Sequence, residues 1–300
     1  MALAALETAP EIAKAAATLR GASETLLIPL ACRAKASKHG LVDGFVDRKA
    51  EEICAALDVD FDRYAADVAT MRGAVRRGMW FDRRVLRFLA AHPTGLVLSL
   101  GSGLNTMYER VRAATPADAW RWIDSDLPDV VALRGALFED DRARTTVALD
   151  LSHPQWADRL GPLDDRPLLI ISEAVLIYLP DALVRAAFSA AARLGERRGA
   201  CVFLYDWCSP AFMRRSRRHP AMKKLKDDTV VFRSSMRRPQ EVRQYDDRWR
   251  VVAQSGTPMT GAGLAPAIFY ALYRIATFGR RPYGLAEAAL ISTQHERTRP

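Results

Sequence analysis

The sequence predicts an α/β fold: a doubly wound, Rossmann-like parallel sheet preceded by a helical segment and interrupted by a helical insertion before its last strands. Three observations lead there. From residue 96 onward, short apolar runs alternate with stretches of helical periodicity, the pattern of parallel strands joined by right-handed helical crossovers. The first run passes directly into Gly101-Ser102-Gly103, a turn suited to joining a buried strand to a helix. Before residue 95 the chain reads as helices, with no convincing strand.

Taken in order, residues 1 to 20 are Ala-rich and helix-prone, a loosely attached leader. Helical stretches follow around 47 to 58 and 61 to 91, ending where Pro93 and Gly95 break the pattern. The core then reads as strand 96 to 100, helix 104 to 113, strand 121 to 124, helix 128 to 138 and strand 145 to 149. It continues with strand 167 to 172, helix 181 to 194 and strand 200 to 206. Residues 209 to 245 are basic and expected to be helical, interrupted by Pro210, Pro220 and Pro239, and form an insertion over the sheet. Strand 249 to 254, an amphipathic helix over 267 to 278 and a last strand over 286 to 293 complete the chain. The expectation is one decorated domain, 1 to 300, with a helical cap over 1 to 94, a core over 95 to 206, and a lid with the last strands over 207 to 300.

Composition narrows the function classes. Lys and Arg number 44 against 35 Asp and Glu, a formal charge of +9, but Arg is abundant throughout and no recognisable nucleic-acid motif accompanies it, so no nucleic-acid partner is expected. The densest basic region, Arg214 to Lys226, either meets an acidic ligand or forms a solvated face. Cys32, Cys54, Cys201 and Cys208 form no CxxC pair, which fits a reducing cytoplasm, and the five histidines lack ligand spacing, so no metal is expected. Glu7, Glu11 and Glu24 argue against a signal peptide, and the longest apolar run, 168 to 179, is interrupted by Glu173 and too short to span a bilayer. A soluble protein without membrane partners is expected.

The chemistry concentrates at the strand ends. In an open parallel sheet a ligand sits outside the carboxyl ends of the strands, where strand order reverses. Gly101 and Gly103 let backbone approach such a ligand, or serve the turn alone. A dinucleotide fingerprint would place a third glycine where Thr106 stands, which counts against a nicotinamide cofactor. About 20 residues on, Asp124 or Asp126 meets the need for a ribose-binding acid, the other capping the helix at Pro128. Asp150 ends the third strand, where its carboxylate can accept from an exocyclic amine or cap a helix. Glu173 stands where apolar sequence should run on, and a carboxylate there is costly unless paired. A sulfonium or an α-ammonium would pair it, and S-adenosyl-L-methionine carries both.

The segments "SETLLIPLACRAKAS", "LSLGSGLNT", "RWIDSDLPDVVALR", "ALDLS", "ISEAVLIYLP" and "FLYDWCSP", in order from about residue 22 to 220, resemble the leucine carboxyl methyltransferase family, in its bacterial tetracenomycin-type branch of polyketide O-methyltransferases. The resemblance implies a class I S-adenosyl-L-methionine-dependent O-methyltransferase with a seven-stranded sheet and a cap that contributes to the cofactor site. It implies Lys35 and Arg77 for the methionyl carboxylate, Gly101 and Gly103 for the turn, and the ribose acid in Asp124-Ser125-Asp126. It further implies Asp150-Leu151 for adenine, Glu173 near the methionine moiety and Tyr178 near the methyl-transfer centre. The family usually reads "GLDTR" where this chain has Gly103-Leu104-Asn105-Thr106-Met107, so one acid and one base of that turn are absent.

Because the C-terminal third matches weakly, the acceptor is expected only as a class: a carboxylate or hydroxyl of a small molecule, aromatic acids included. A carboxylate acceptor needs no base, whereas a phenol would be helped by His153, His219 or Tyr178, and Arg214, Arg215 or Arg217 could hold an acidic acceptor. Protein C-terminal carboxyl methylation, nicotinamide-dependent oxidation and nucleic-acid binding are the competing readings.

Overall fold

The computed structural model describes residues 9 to 291 except 58–59, 66, 117–118, 154, 220–221, 228, 257–263 and 278. The N-terminal part is helical: α1 Ala9–Thr18, α2 Leu27–Lys38, α3 Arg48–Ala56, α4 Phe61–Tyr64 and α5 Val68–Ala91. Aspartates set three of the starts, since Asp47, Asp60 and Asp67 each accept backbone N–H bonds in the first turn of α3, α4 and α5. The helix expected over 61 to 91 is therefore two, because Asp67 caps a new start after α4 ends. Of the Ala-rich leader, α1 buries Ala16 in the cap's apolar cluster, and residues 1 to 8 lie outside the described residues.

The core runs β1 Leu96–Leu100, α6 Met107–Ala114, β2 Arg121–Asp126, α7 Pro128–Leu137, β3 Arg144–Ala148, β4 Leu168–Ser172, α8 Asp181–Gly195 and β5 Cys201–Cys208. After it come α9 Pro210–Met213, β6 Trp249–Gly256, α10 Leu264–Ala276 and β7 Tyr283–Leu290. The seven strands form one sheet in the order β3-β2-β1-β4-β5-β7-β6. The first five are parallel, while β7 is antiparallel to both β5 and β6. In β1, Leu96, Leu98 and Leu100 join one core with α8, while Val97 joins a second core on the opposite face with α5 and α6. Burial on both faces explains why β1 and β4 read as near-continuous apolar runs.

The insertion departs from its helical expectation. Beyond α9 its described residues hold only short 3-10 segments, Ser216–Arg218, Met222–Lys224 and Pro239–Gln244. Its prolines lack the N–H that a continuing helix requires, and its basic residues give no apolar stripe to bury. The last strand starts at Tyr283, earlier than expected, and the end of its expected span, 292 to 293, lies outside the described residues. Among the described residues no helix is long and apolar enough to cross a membrane, and no His, Cys, Asp or Glu cluster could hold a metal ion. The four cysteines are free thiols.

Candidate active site

Strand order reverses between β1 and β4, so their carboxyl ends flank the crevice that such sheets use for ligands. There lies a cavity of about 710 Å³, a size typical of small-molecule sites. Gly101 leaves β1 with φ +66°, and a Cβ on it would stand 2.5 Å from the Val175 side chain. Gly103 has φ +50°, with Leu26 of the cap 3.1 Å from where its Cβ would lie. Both positions therefore require glycine, one on each side of the turn.

Asp126, at the end of β2, braces that turn: its Oδ2 accepts from the Gly103 N–H at 2.6 Å and its Oδ1 from the Leu127 N–H at 2.7 Å. Withdrawal from solvent pushes its carboxyl above the ordinary value, against the pull of those two N–H groups. Asp126 lines the cavity, and Asp124 does not. Asp124 lies two residues back on the same face of β2 but deeper and buried, where it pairs with Arg134 at 2.5 Å and accepts from Trp122 Nε1. The fixed guanidinium of Arg134 also donates to the Gly103 carbonyl, so Asp124 supports the turn from beneath. Asp150 and Leu151 line the cavity beyond β3.

Glu173 follows the last residue of β4. Arg77 Nε of α5 donates to its Oε1 at 2.7 Å and Asn105 Nδ2 to its Oε2 at 2.9 Å. Burial alone would raise this carboxyl, but Arg77, with Arg33 and Arg110 behind it, holds it below the usual range. Asn105 occupies the place of the family's usual acid, where a second carboxylate would repel Glu173; the amide bonds to it instead, while its own carbonyl caps the Met107 N–H. The missing base has no counterpart at Met107, which is buried in the core. Arg110, one turn on, supplies positive charge to Asp47 and Asp82, both at 2.7 Å.

Four participants were not singled out by sequence. Arg33 is buried, donates to the Leu104 carbonyl at 2.8 Å and pairs with Asp47 at 3.2 Å. It lines the cavity, whereas Lys35, the expected cap cation, faces outward onto Asp62. Two positions along a helix are about 200° apart, so one of these cations turns inward only if the other turns out. Ala174, next to Glu173, is the only non-glycine residue described with positive φ, +58°. Its N–H donates to Asp206 Oδ1 at 2.8 Å, and the other carboxylate oxygen of Asp206 accepts from the Tyr283 hydroxyl. Tyr283 in turn lies 3.5 Å from Arg77 Nη1. The ends of β5 and β7 thus hold both the strained peptide that carries Glu173 and its arginine partner. Proximity to the paired strand ends is the only sequence signal that could have marked Asp206; Tyr283 offered none.

Tyr178 lines the cavity from the 3-10 turn Leu176–Tyr178, its hydroxyl 3.7 Å from Met222 Sδ and its ring set edge-on to Phe232. Burial raises its phenol, so it stays neutral. His219 also lines the cavity, while His153 is exposed outside it. Arg214, Arg215, Arg217 and Arg218 are exposed and line none of it, the solvated alternative for that basic run.

Comparison with known proteins gives a consistent picture. A family model described as Leucine carboxyl methyltransferase matches residues 31–192. The tetracenomycin polyketide synthesis O-methyltransferase TcmP of Streptomyces glaucescens is 33% identical over 165 residues, 55% of this chain. That match spans 58% of TcmP, less than two thirds of its length. Among solved structures, a protein of Thermobifida fusca YX assigned as a methyltransferase superposes with TM-score 0.52 at 19% identity over 87% of this chain and 94% of that one. The CurJ carbon methyltransferase does so with TM-score 0.51 at 12% identity over 90% and 68%. Both share the fold.

Proposed function

The chain belongs to the leucine carboxyl methyltransferase family, and on that premise we propose that it is an S-adenosyl-L-methionine-dependent O-methyltransferase acting on a carboxylate or hydroxyl of a small molecule in polyketide metabolism. One observation carries the reading: the glycine turn, Asp126, Asp150-Leu151 and the Glu173–Arg77 pair all border one cavity at the strand-order reversal.

The donor set fits the cofactor. Asp126 offers a carboxylate to a ribose diol, Leu151 an apolar surface and Asp150 an acceptor to an adenine. Glu173 offers its charge to the α-ammonium, and Arg77 with Arg33, in place of Lys35, offers positive charge to the methionyl carboxylate. When bound, the cofactor supplies an electrophilic methyl group on a sulfonium. The chain's own contribution is alignment and exclusion of water: the cap, through Leu26 and Arg33, and the insertion, through Phe212 and Met222, wall the cavity over the sheet. Tyr178, neutral and within the wall, is assigned to positioning the acceptor. In this reading the entire chain works as one methyltransferase unit in the reducing cytoplasm, a setting that its four free thiols support.

The test is transfer of a tritiated methyl group from the cofactor to a panel of aromatic acids and phenols. Labelled ester or ether that forms only with folded enzyme is the expected result. Absence of cofactor binding would refute the reading.

A further inference from the structure

Between α1 and α2 the chain makes a 3-10 segment, Gly21–Leu26, whose faces meet three different parts of the molecule. At three residues per turn, Ser23 and Leu26 share one face, Thr25 takes a second and Glu24 the third. Leu26 stands against the glycine turn, 3.1 Å from where a Cβ of Gly103 would lie. Thr25 lines the cavity and is hydrogen-bonded to the Tyr178 hydroxyl. Glu24 is buried, 1% exposed, and is not part of the cavity wall.

The Glu24 carboxylate is where cap and insertion meet. Its Oε1 accepts from the Tyr64 hydroxyl of α4 at 2.8 Å, and the Lys226 N–H donates to Oε2 at 2.9 Å and to Oε1 at 3.1 Å. The Lys226 ammonium does not pair with it but donates to the Ala17 carbonyl at 2.9 Å. Beside this contact Arg63 Nε donates to the Lys224 carbonyl at 2.7 Å, and Met222 and Leu225 enter the apolar cluster of the cap. Met222 is also part of the cavity wall, its Sδ 3.7 Å from the Tyr178 hydroxyl.

A buried carboxylate held by neutral donors alone is a weak permanent fastener, because dehydration offsets much of what its hydrogen bonds contribute, and on opening water replaces them. Such a contact lies near balance, and a small bias decides whether it is made. The bias at hand is Leu26: a ligand seated on the glycine turn restricts Leu26, and with it Glu24 two residues back.

We propose that Glu24 is a positioning residue that couples cofactor binding to the acceptor side of the cavity. With the glycine turn occupied it holds residues 222–226 against the cap and so sets Met222 beside Tyr178; with the turn empty that segment opens. This rests on the methyltransferase reading and extends it from where the cofactor lies to how its arrival completes the acceptor wall.

The test is limited trypsin digestion of the full-length protein with and without saturating S-adenosylhomocysteine. Trypsin needs the chain around its bond freed, so cleavage after the exposed Lys223 and Lys224 follows the open population. S-adenosylhomocysteine should slow that cleavage by about ten-fold or more, and slow exchange of the Lys226 amide with it, while cleavage after Arg142, exposed between α7 and β3, is unmoved. Glu24→Ala should be cut rapidly after Lys223 and Lys224 whether or not S-adenosylhomocysteine is present. Because coupling is reciprocal, its affinity for S-adenosylhomocysteine should fall by no more than the factor of protection seen in the unaltered chain. Glu24→Gln, which keeps one acceptor oxygen for the Lys226 N–H, should recover part of the protection. Bound S-adenosylhomocysteine that leaves cleavage and exchange of the unaltered chain unchanged would overturn the proposal, as would a Glu24→Ala variant protected as well as the unaltered chain. Failure of S-adenosylhomocysteine to bind at all would instead overturn the methyltransferase reading beneath it.

Discussion

At the scale of single residues, Glu173 joins the fold to the proposed chemistry. Its carboxylate is held by Arg77 and Asn105, and charge-assisted bonds of this kind contribute about 1.5–3 kcal/mol. Glu173→Gln should therefore weaken S-adenosylhomocysteine binding by roughly ten- to a hundred-fold with an unchanged far-ultraviolet spectrum; unchanged affinity would remove Glu173 from the site. Glu173→Ala should also lower stability by about 3 kcal/mol, because it leaves the Arg77 charge in the fold without its partner. The sign of the pH dependence follows from the lowered carboxyl. Its contribution is present above the unfolded value near about 4.3 and is lost as pH falls through the lower folded value. Affinity measured by titration should thus stay flat from pH 8 to about 5 with respect to this group and collapse only below about 4. Glu173 was legible in the sequence because an acid inside an apolar run demands a partner. Arg33 was not, because its pattern on α2 does not distinguish it from Lys35 until the helix has a direction to face.

At the scale of elements, the ends of the strands do the positioning. Gly101→Ala would force a Cβ to within 2.5 Å of Val175 in a left-handed conformation, at a cost of about 2–4 kcal/mol. The variant should melt earlier and bind S-adenosylhomocysteine at least ten-fold more weakly. Asp206 links the ends of β4, β5 and β7 through the Ala174 N–H and the Tyr283 hydroxyl. Asp206→Asn keeps an acceptor for that N–H and should retain most of the affinity, whereas Asp206→Ala frees the strained peptide and should lose it; equal affinities for the two variants would contradict this role. The central parallel strands β1 and β4 were readable because burial on both faces writes each as an apolar run, whereas β2 and β3, with charged and half-buried residues, were readable from their alternation with helices. The insertion was not, since its short segments are held by tertiary contacts, such as the Phe232 N–H bond to Ser216 Oγ, that no local periodicity records. The pairing of Asp206 with Tyr283 spans 77 positions and depends on β7 running antiparallel, an orientation that composition does not encode.

At the scale of the whole molecule, cap, sheet and insertion meet around one cavity, and buried charges tie the first two together. Asp47 of the cap accepts from Thr106 beside the glycine turn and pairs with Arg33 and Arg110, while Asp82 of α5 takes the other edge of Arg110. A ligand filling this junction should stabilise every part at once. At a hundred-fold excess over its dissociation constant, S-adenosylhomocysteine should add about 2.7 kcal/mol to stability and raise the melting temperature by several degrees. Amide exchange should slow in α2 and in the 209–232 segment together. The central claim is that this junction binds the cofactor of a methyltransferase, and calorimetric titration with S-adenosylhomocysteine, with NAD as the comparison ligand, tests it most directly. One-site binding of S-adenosylhomocysteine with no heat from NAD is the predicted result; silence from S-adenosylhomocysteine in folded protein, or binding of NAD in its place, would contradict it.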